Sequence, residues 1–465
     1  MKKFYITTAI DYVNDVIHVG HAYQKVVADV LARYHRLLGE KVFFLTGSDE
    51  HGGKAEEAAQ KAGQDVAGFV DRVVAGNKEQ LAALDINFNR YIRTTDEDHV
   101  RQVKEFYLRV KKSGDIYRAK FSGFYCSGCE EYKTASELVG GRCPNHPGLS
   151  VKELAEENYF FAWSKYQGFL IDHIKNNPDF IKPKSRAKEM LSFLDRGLND
   201  ISISRQSVAW GIPVPGDPTQ TLYVWFDALI NYLTGAPKGF WPADLHLLGK
   251  DNTRWHALLW PAMLKSVNLP LPKTIYAHGF LTFNGQKISK SLGNIIRPQE
   301  LANEFGVDGA RYLLVSAKTL SGDGDISWPK MKEKYNADLA NGLGNLVARL
   351  AKLCQLSSGE FDFSYPDTQA VLKGDFSCLM DNYQLLSALN FIWDQLRSID
   401  QELNQRQPWK IANKKEKTQV LSGLVRKLLA VTVLLTPFLP STAKIIQETF
   451  LAQKVVPPKP LFIRK

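Results

Sequence analysis

The sequence is short of everything that would mark a disulfide-stapled, membrane-spanning or disordered chain. It has only five cysteines in 465 residues, and three of them, Cys126, Cys129 and Cys143, fall within eighteen positions. An odd, clustered set makes a poor disulfide framework, so a cytoplasmic, reducing compartment with a metal site is expected. Long apolar runs are missing too. The longest uncharged stretch, Leu428 to Ala443, is broken by Pro437 and Pro440 and is shorter than the ~20 residues a membrane helix needs. Near the N-terminus only Phe4 to Ile10 is uncharged before Asp11, with no small-residue cleavage site behind it, so neither a secretion signal nor a membrane partner is expected. Internal repeats and low-complexity segments are absent. What remains is 44% hydrophobic and 23% charged, the balance of a globular chain with sizeable cores. At ~150 residues per domain, about three domains are expected.

Charge is the first positive signal. The chain carries 59 basic and 49 acidic residues, a net +10. Residues 336–465 hold 16 basic against 11 acidic groups, half of that surplus in little more than a quarter of the length. An acidic partner such as nucleic acid suits that tail, although a well-solvated surface gives the same numbers.

Strand and helix patterns alternate from the start. Phe4 to Ile10 reads as a buried strand, and Ala22, Val26, Val27, Val30, Leu31, Tyr34 and Leu38 recur at helical spacing until Gly39 stops the helix. Lys41 to Thr46 reads as a second strand, followed by an alanine-rich helix over Lys54 to Lys61. This rhythm opens a parallel, nucleotide-binding α/β fold over residues 1–114. Glycines and cysteines interrupt it, which marks an inserted module over 115–222. A strand over Thr221 to Phe226 and an apolar helix over Trp255 to Leu264 then resume the pattern across 223–284. A loop-rich segment follows over 285–335, and residues 336–465 are helical in period throughout.

Three constellations carry chemistry. His18-Val19-Gly20-His21 stands at the junction of the first strand and its helix. A helix N-terminus presents unpaired N–H groups and partial positive charge to phosphate, two histidines three apart share one face, and glycine leaves room for close approach. Lys287-Ile288-Ser289-Lys290-Ser291 lies between Asn284-Gly285 and Gly293-Asn294, where two lysines among small residues can fold over a polyphosphate. Each motif alone is equally a solvated turn or a core histidine; the pair across the α/β halves is far more specific. Finally, Cys126-x2-Cys129-x13-Cys143-x2-His146 supplies two ligand pairs that each span one edge of a tetrahedron, a closed structural site for one Zn²⁺.

These motifs, with Ala9-Ile10-Asp11-Tyr12, Thr46-Gly47-Ser48-Asp49-Glu50-His51-Gly52, Trp225-Phe226-Asp227-Ala228-Leu229-Ile230-Asn231-Tyr232 and Gly249-Lys250-Asp251, resemble the methionyl-tRNA synthetase family of class I synthetases across essentially the whole chain. The resemblance implies a Rossmann-type catalytic domain with a zinc-binding connective insertion, then an all-α bundle that reads a CAU anticodon. It implies ATP and methionine as substrates, with Mg²⁺ accompanying the ATP. His18, His21, Arg205, Lys287 and Lys290 would be catalytic, and Gly20, Asp251 and Ser289 would join them around ATP. Methionine would lie among Ala9, Ile10, Tyr12, Asp49, Trp225, Ala228, Leu229, Tyr232, Trp255 and His256. Asn345, Arg349 and Trp409 would meet the anticodon. Asp49 reads equally as a helix cap, Asn345 and Arg349 as a solvated face, and Trp409 as a cover for the bundle core. Three departures from the family pattern stand out: Ile288 in place of Met, Leu229 in place of Pro and Trp255 in place of Phe. The chain ends soon after its last helical pattern, so a monomer is expected.

Overall fold

Strand β1 (Lys3–Thr8) is buried on both faces, which is why its run of aromatic and β-branched residues does not alternate with polar ones. It feeds helix α1 (Val19–Leu37), and Gly39 at φ +77° turns the chain into β2 (Lys41–Asp49). The computed structural model describes residues 2–126, 131–133, 137–144, 148–288, 293–357, 361 and 363–465. With β3 (Arg90–Arg93), β4 (Ile181–Lys182), β5 (Leu245–Gly249), β6 (Thr274–His278) and the two residues Asp11–Tyr12, these strands make one seven-stranded sheet. Every pairing in it is parallel. From β1 the chain moves outward to β2, then returns across the sheet to β5 on the other side of β1. That reversal opens a crevice at the carboxyl ends of β1 and β5, the position where open α/β sheets bind ligands.

Between the two halves, Ile116–Cys126 and Lys152–Phe161 form a long antiparallel ribbon, registered from Ile116↔Phe161 to Tyr125↔Lys152. Within the same 115–222 segment, β4 returns to the edge of the central sheet beside β6. One sequence expectation fails here. The strand expected over Thr221 to Phe226 ends at Leu222, and Val224–Ala228 is a short helix. Val224, Phe226, Asp227 and Ala228 are all buried, and a run buried on every side carries no period to separate strand from helix.

After α2 (Val307–Ser316) and the short strand Gly324–Ile326, every described element is a helix. Helices α3 (Asn345–Leu356), α4 (Leu385–Arg406), α5 (Lys414–Leu435) and α6 (Pro440–Phe450) pack their apolar faces together. Among the described residues, α5 is the one helix long and apolar enough to cross a membrane, and its apolar side chains Leu421, Leu424, Leu428 and Leu435 are buried in this bundle.

A buried guanidinium joins bundle and sheet. Arg311 of α2 is fully inaccessible and meets the equally buried Asp29 of α1 at 2.7 Å. Its remaining N–H groups donate to the carbonyls of Leu84 (3.0 Å), Pro437 (3.1 Å) and Phe438 (3.0 Å). Removing the guanidinium leaves Asp29 with Arg33 as its remaining ion-pair partner among the described residues and leaves three carbonyls without their donor. Arg311→Met is therefore expected to lower unfolding free energy by about 3–5 kcal/mol, read as a lower urea midpoint. A loss under ~1 kcal/mol would mean that the pair does not hold the two halves together.

Candidate active site

The crevice contains a cavity of about 400 Å³. Its apolar end is built from three parts of the chain. Ala9, Ile10 and Tyr12 follow β1, Asp49 is the last residue of β2, and Trp225, Ala228, Leu229 and Tyr232 come from the short helices Val224–Ala228 and Asn231–Thr234. The helix after β2 is capped by Gly52, so Asp49 is not a cap. Trp255 does not line the cavity. It is buried behind it, stacked on Trp225 at 5.0 Å. His256 completes the wall with a defined tautomer. Its Nδ1 lies 2.9 Å from the Asn252 carbonyl, an acceptor, so Nδ1 carries the proton and the Tyr232 hydroxyl donates to Nε2 at 2.7 Å. Burial pushes His256 down to about 4, which keeps it neutral near pH 7.

The apolar wall is braced from behind. Buried Asp227 accepts from His51 Nδ1 at 2.6 Å and His99 Nε2 at 2.8 Å, which ties the Asp49–His51 turn to the helix carrying Trp225 and Ala228. Burial opposes ionisation of Asp227, but His51 and then His99 outweigh it and hold the carboxyl below its usual range.

The polar end is the N-terminus of α1. His18 is the cap, accepting from the Gly20 amide through Nδ1 at 3.0 Å, while His21 Nδ1 accepts from the His18 amide at 3.3 Å. With both Nδ1 atoms accepting, the ring protons sit on Nε2, where each can donate to a phosphate oxygen. Burial, aided by the adjacent His21 ring, pushes His18 down to about 3, and burial with Lys25 and Arg297 does the same to His21. Both rings are neutral donors. Gly20 is required locally, since a Cβ there would lie 2.8 Å from His18 Cε1. Opposite, Lys287 and Ile288 line the cavity from a hairpin turned at Asn284 (φ +51°) and Gly285 (φ +74°), a pairing of residues that favours such turns. Asp251 also lines it, just after β5.

Several expected residues stand elsewhere. Arg205 is buried outside the lining, where its Nη1 donates to the Ser202 hydroxyl at 2.8 Å and the Ser204 carbonyl at 2.7 Å. Its guanidinium lies 4.3 Å from the Tyr223 ring centroid. Ser289, Lys290, Cys129 and His146 lie outside the described residues. Cys126 and Cys143 are completely buried, yet among the described residues neither packs into a hydrophobic cluster. Gly140 and Gly141, both at positive φ, turn the chain just before Cys143. Two buried thiols outside any apolar core fit a thiolate metal site. Asn345 is exposed at the start of α3, and Arg349 one turn on donates to Asp400 and Asn404 of α4, each at 2.7 Å. Trp409, in the turn Pro408–Lys410 that follows α4, is 45% exposed.

The sequence reading missed Asp11, Gln24, His278 and Asp323, all of which line the cavity. Gln24 had a signal, because it falls on the His21 face of α1 at i+3. His278 ends β6 and so belongs to the same carboxyl edge as the rest. Asp323 lies in an irregular segment that approaches the site only through the tertiary fold.

The chain matches the family model for class I tRNA synthetases (M) over residues 4–152 and 146–351. It is 41% identical to methionine–tRNA ligase of Thermotoga maritima over 95% of this chain and 74% of that one. It is 48% identical to methionine–tRNA ligase of Thermosynechococcus vestitus over 75% of this chain and 69% of that one. Among solved structures, Mycobacterium tuberculosis methionyl-tRNA synthetase in complex with methionyl-adenylate aligns at 38% identity and a TM-score of 0.90, covering 97% of this chain and 94% of that one. The free form of that enzyme aligns at 34% identity and a TM-score of 0.84, covering 100% and 98%. Motifs, sheet topology and relatives agree: the chain belongs to the methionyl-tRNA synthetases, class I aminoacyl-tRNA ligases that use ATP to join methionine to tRNA.

Proposed function

We propose that the cavity holds methionine at its apolar end and ATP at the α1 end, so that the two react in line. The carrying observation is that both motif sets line one cavity at the switch point of the sheet. The methionine carboxylate attacks the α-phosphorus, pyrophosphate leaves, and methionyl-adenylate remains. The 2′-hydroxyl of the terminal adenosine of tRNA then takes the methionyl group and releases AMP. Neither step needs an enzyme nucleophile, so the work is orientation and charge stabilisation. Asp49 receives the ammonium. Tyr232, His256, Trp225 and the smaller Ala9, Ile10, Ala228 and Leu229 shape the thioether site, with sulfur–aromatic contacts of roughly 0.3–1.5 kcal/mol each. His18 and His21 donate from Nε2, Gly20 allows close approach, Lys287 and Lys290 with Ser289 cover the phosphates, and Asp251 lies beside the nucleotide. Mg²⁺ enters with ATP. Arg205 supports the site from the strand Ser204–Arg205 through its contact with Tyr223, and Trp255 does so through Trp225.

Methionine-dependent exchange of pyrophosphate into ATP tests the reading. Lys287→Met is expected to lower kcat of exchange by about 10²–10³, as loss of a comparable preorganised contact does, with little change in the methionine KM. An unchanged kcat would remove Lys287 from the phosphate site.

Cys126, Cys129, Cys143 and His146 would hold one structural zinc in the 115–222 insertion, away from the reacting atoms. Zinc supplies folding energy to that insertion when bound, and a cytoplasmic setting keeps its thiols reduced. Cys126→Ser is expected to release zinc and make the insertion sensitive to limited proteolysis. A stable, protease-resistant variant without zinc would reduce the knuckle to decoration.

Residues 1–114 and 223–284 supply the catalytic sheet, 285–335 the phosphate loop and its support, and 336–465 the anticodon reader. A monomer serves every step, since one chain lines the whole cavity. The exposed Trp409 indole stacks on an unpaired base of the CAU anticodon, and Asn345 and Arg349 address base edges nearby. Trp409→Ala is expected to cut kcat/KM for charging about 10- to 100-fold, in line with ~1–3 kcal/mol of stacking, and to spare pyrophosphate exchange. If both fall together, Trp409 is structural.

A further inference from the structure

Lys25 stands one turn along α1 from His21 and is fully buried, where lysine is rarely found without a partner. Its Nζ donates to Asp11 Oδ1 at 2.6 Å, to Gln24 Oε1 at 3.2 Å and to the Ala9 carbonyl at 3.3 Å. All three acceptor residues line the cavity. The Asp11 side chain keeps 10% of its surface exposed while Lys25 keeps none, so the carboxylate reaches the cavity and the ammonium lies behind it. Asp11 and Asp49 come from adjacent paired strands and both line the cavity, so it holds two carboxylates.

Those carboxylates face different tasks. Asp49 suits a ligand ammonium. A second full negative charge at Asp11, on the wall shared with the N-terminus of α1, would repel the polyphosphate that His18, His21 and Lys287 attract. A lysine in hydrogen-bond contact with Asp11 removes that charge without occupying cavity space. The same three bonds fix the Ala9–Tyr12 wall to the helix that offers His18 and His21.

We propose that Lys25 is a positioning residue that neutralises Asp11 from behind and locks the amino-acid wall to the phosphate helix, so that one cavity accepts an amino-acid ammonium and a nucleoside triphosphate together. The inference rests on the ATP and methionine sites assigned above and adds what keeps their charges compatible.

Pyrophosphate exchange by the purified full chain tests it, with Lys25→Met and the paired Lys25→Met/Asp11→Leu. For Lys25→Met the ATP KM is expected to rise about tenfold or more, while the methionine KM stays within about threefold. The paired variant, with both charges gone, is expected to bring the ATP KM back to within about threefold of the parent, a recovery that a purely structural lysine would not give. An unchanged ATP KM in Lys25→Met, equal rises in both KM values, or a paired variant no better than the single one would each overturn the proposal. If Lys25→Met does not fold, the paired variant decides alone through its ATP KM; if neither folds, the pair is core structure and the proposal fails. A parent chain that exchanges no pyrophosphate would sink the assigned function instead, which separates the two failures.

Discussion

Arg311 sets the constraint on which both halves of the molecule depend. Its guanidinium is fully buried and bonded to a carboxylate on α1 and to three carbonyls from two separate turns, Leu84 before β3 and Pro437–Phe438 before α6. A planar, five-donor fork serves that many acceptors from one point, and a lysine could not. Asp29 is engaged equally fully, accepting also from Arg33 at 2.7 Å and from the Asn87 amide at 2.9 Å. The helix thus held in its middle is the one whose first turn carries His18 and His21. The His18–His21 end of the cavity and the helical bundle are therefore fixed to the same rod, and neither can drift without breaking a buried charge network.

At that first turn, local helix chemistry and ligand chemistry use the same atoms. The two histidines satisfy backbone N–H groups through Nδ1, which is an ordinary capping function, and the capping bonds leave both Nε2 protons available. Burial keeps the rings neutral, so positive charge in the cavity comes from Lys287 and the helix end rather than from imidazolium. The motif spacing follows from this arrangement. The reciprocal partner comes three positions after the cap, and glycine sits between them because the first ring folds back over it.

Much of this was legible in the sequence because it is local. The helix junction, the Gly39 stop and the helical tail all follow from neighbours a few residues apart, whereas the segment after Asn284-Gly285 reads only as a loop and is turned as a hairpin. Of the ten residues that the motif resemblance implies around methionine, nine line the cavity. What stayed hidden depends on distant partners. Nothing near Thr221 says that Val224–Ala228 coils, with all but the cavity-lining Trp225 buried. Nothing near Trp255 separates lining the cavity from stacking behind Trp225. Arg205 reads as a free cation until Ser202 and Ser204 are seen to claim its guanidinium. Nothing near Lys25 in the sequence announces its burial, because its acceptors Ala9 and Asp11 lie across a loop.

The third wall of the cavity shows how the hairpin that presents Lys287 is held. The strand Leu281–Phe283 pairs with Gln286–Lys287 on one side and with Gly324–Ile326 on the other. The segment that closes this small sheet arrives after α2, the helix that bears Arg311. On the way in, Asp323 accepts from Lys250 at 2.7 Å and from the Phe280 amide, and Asp325 accepts from Thr282 and from the Gly285 amide at the hairpin turn. The hairpin that presents Lys287 is thus held by carboxylates from the chain that leads into the bundle, while Lys250 belongs to the turn after β5 beside the nucleotide end. A displacement of α2 would move these carboxylates, the hairpin and the Gly249–Asp251 turn together. The rigidity that positions the lysine comes from this double attachment, since a hairpin of two- and three-residue strands has too few contacts of its own to hold a side chain over a polyphosphate.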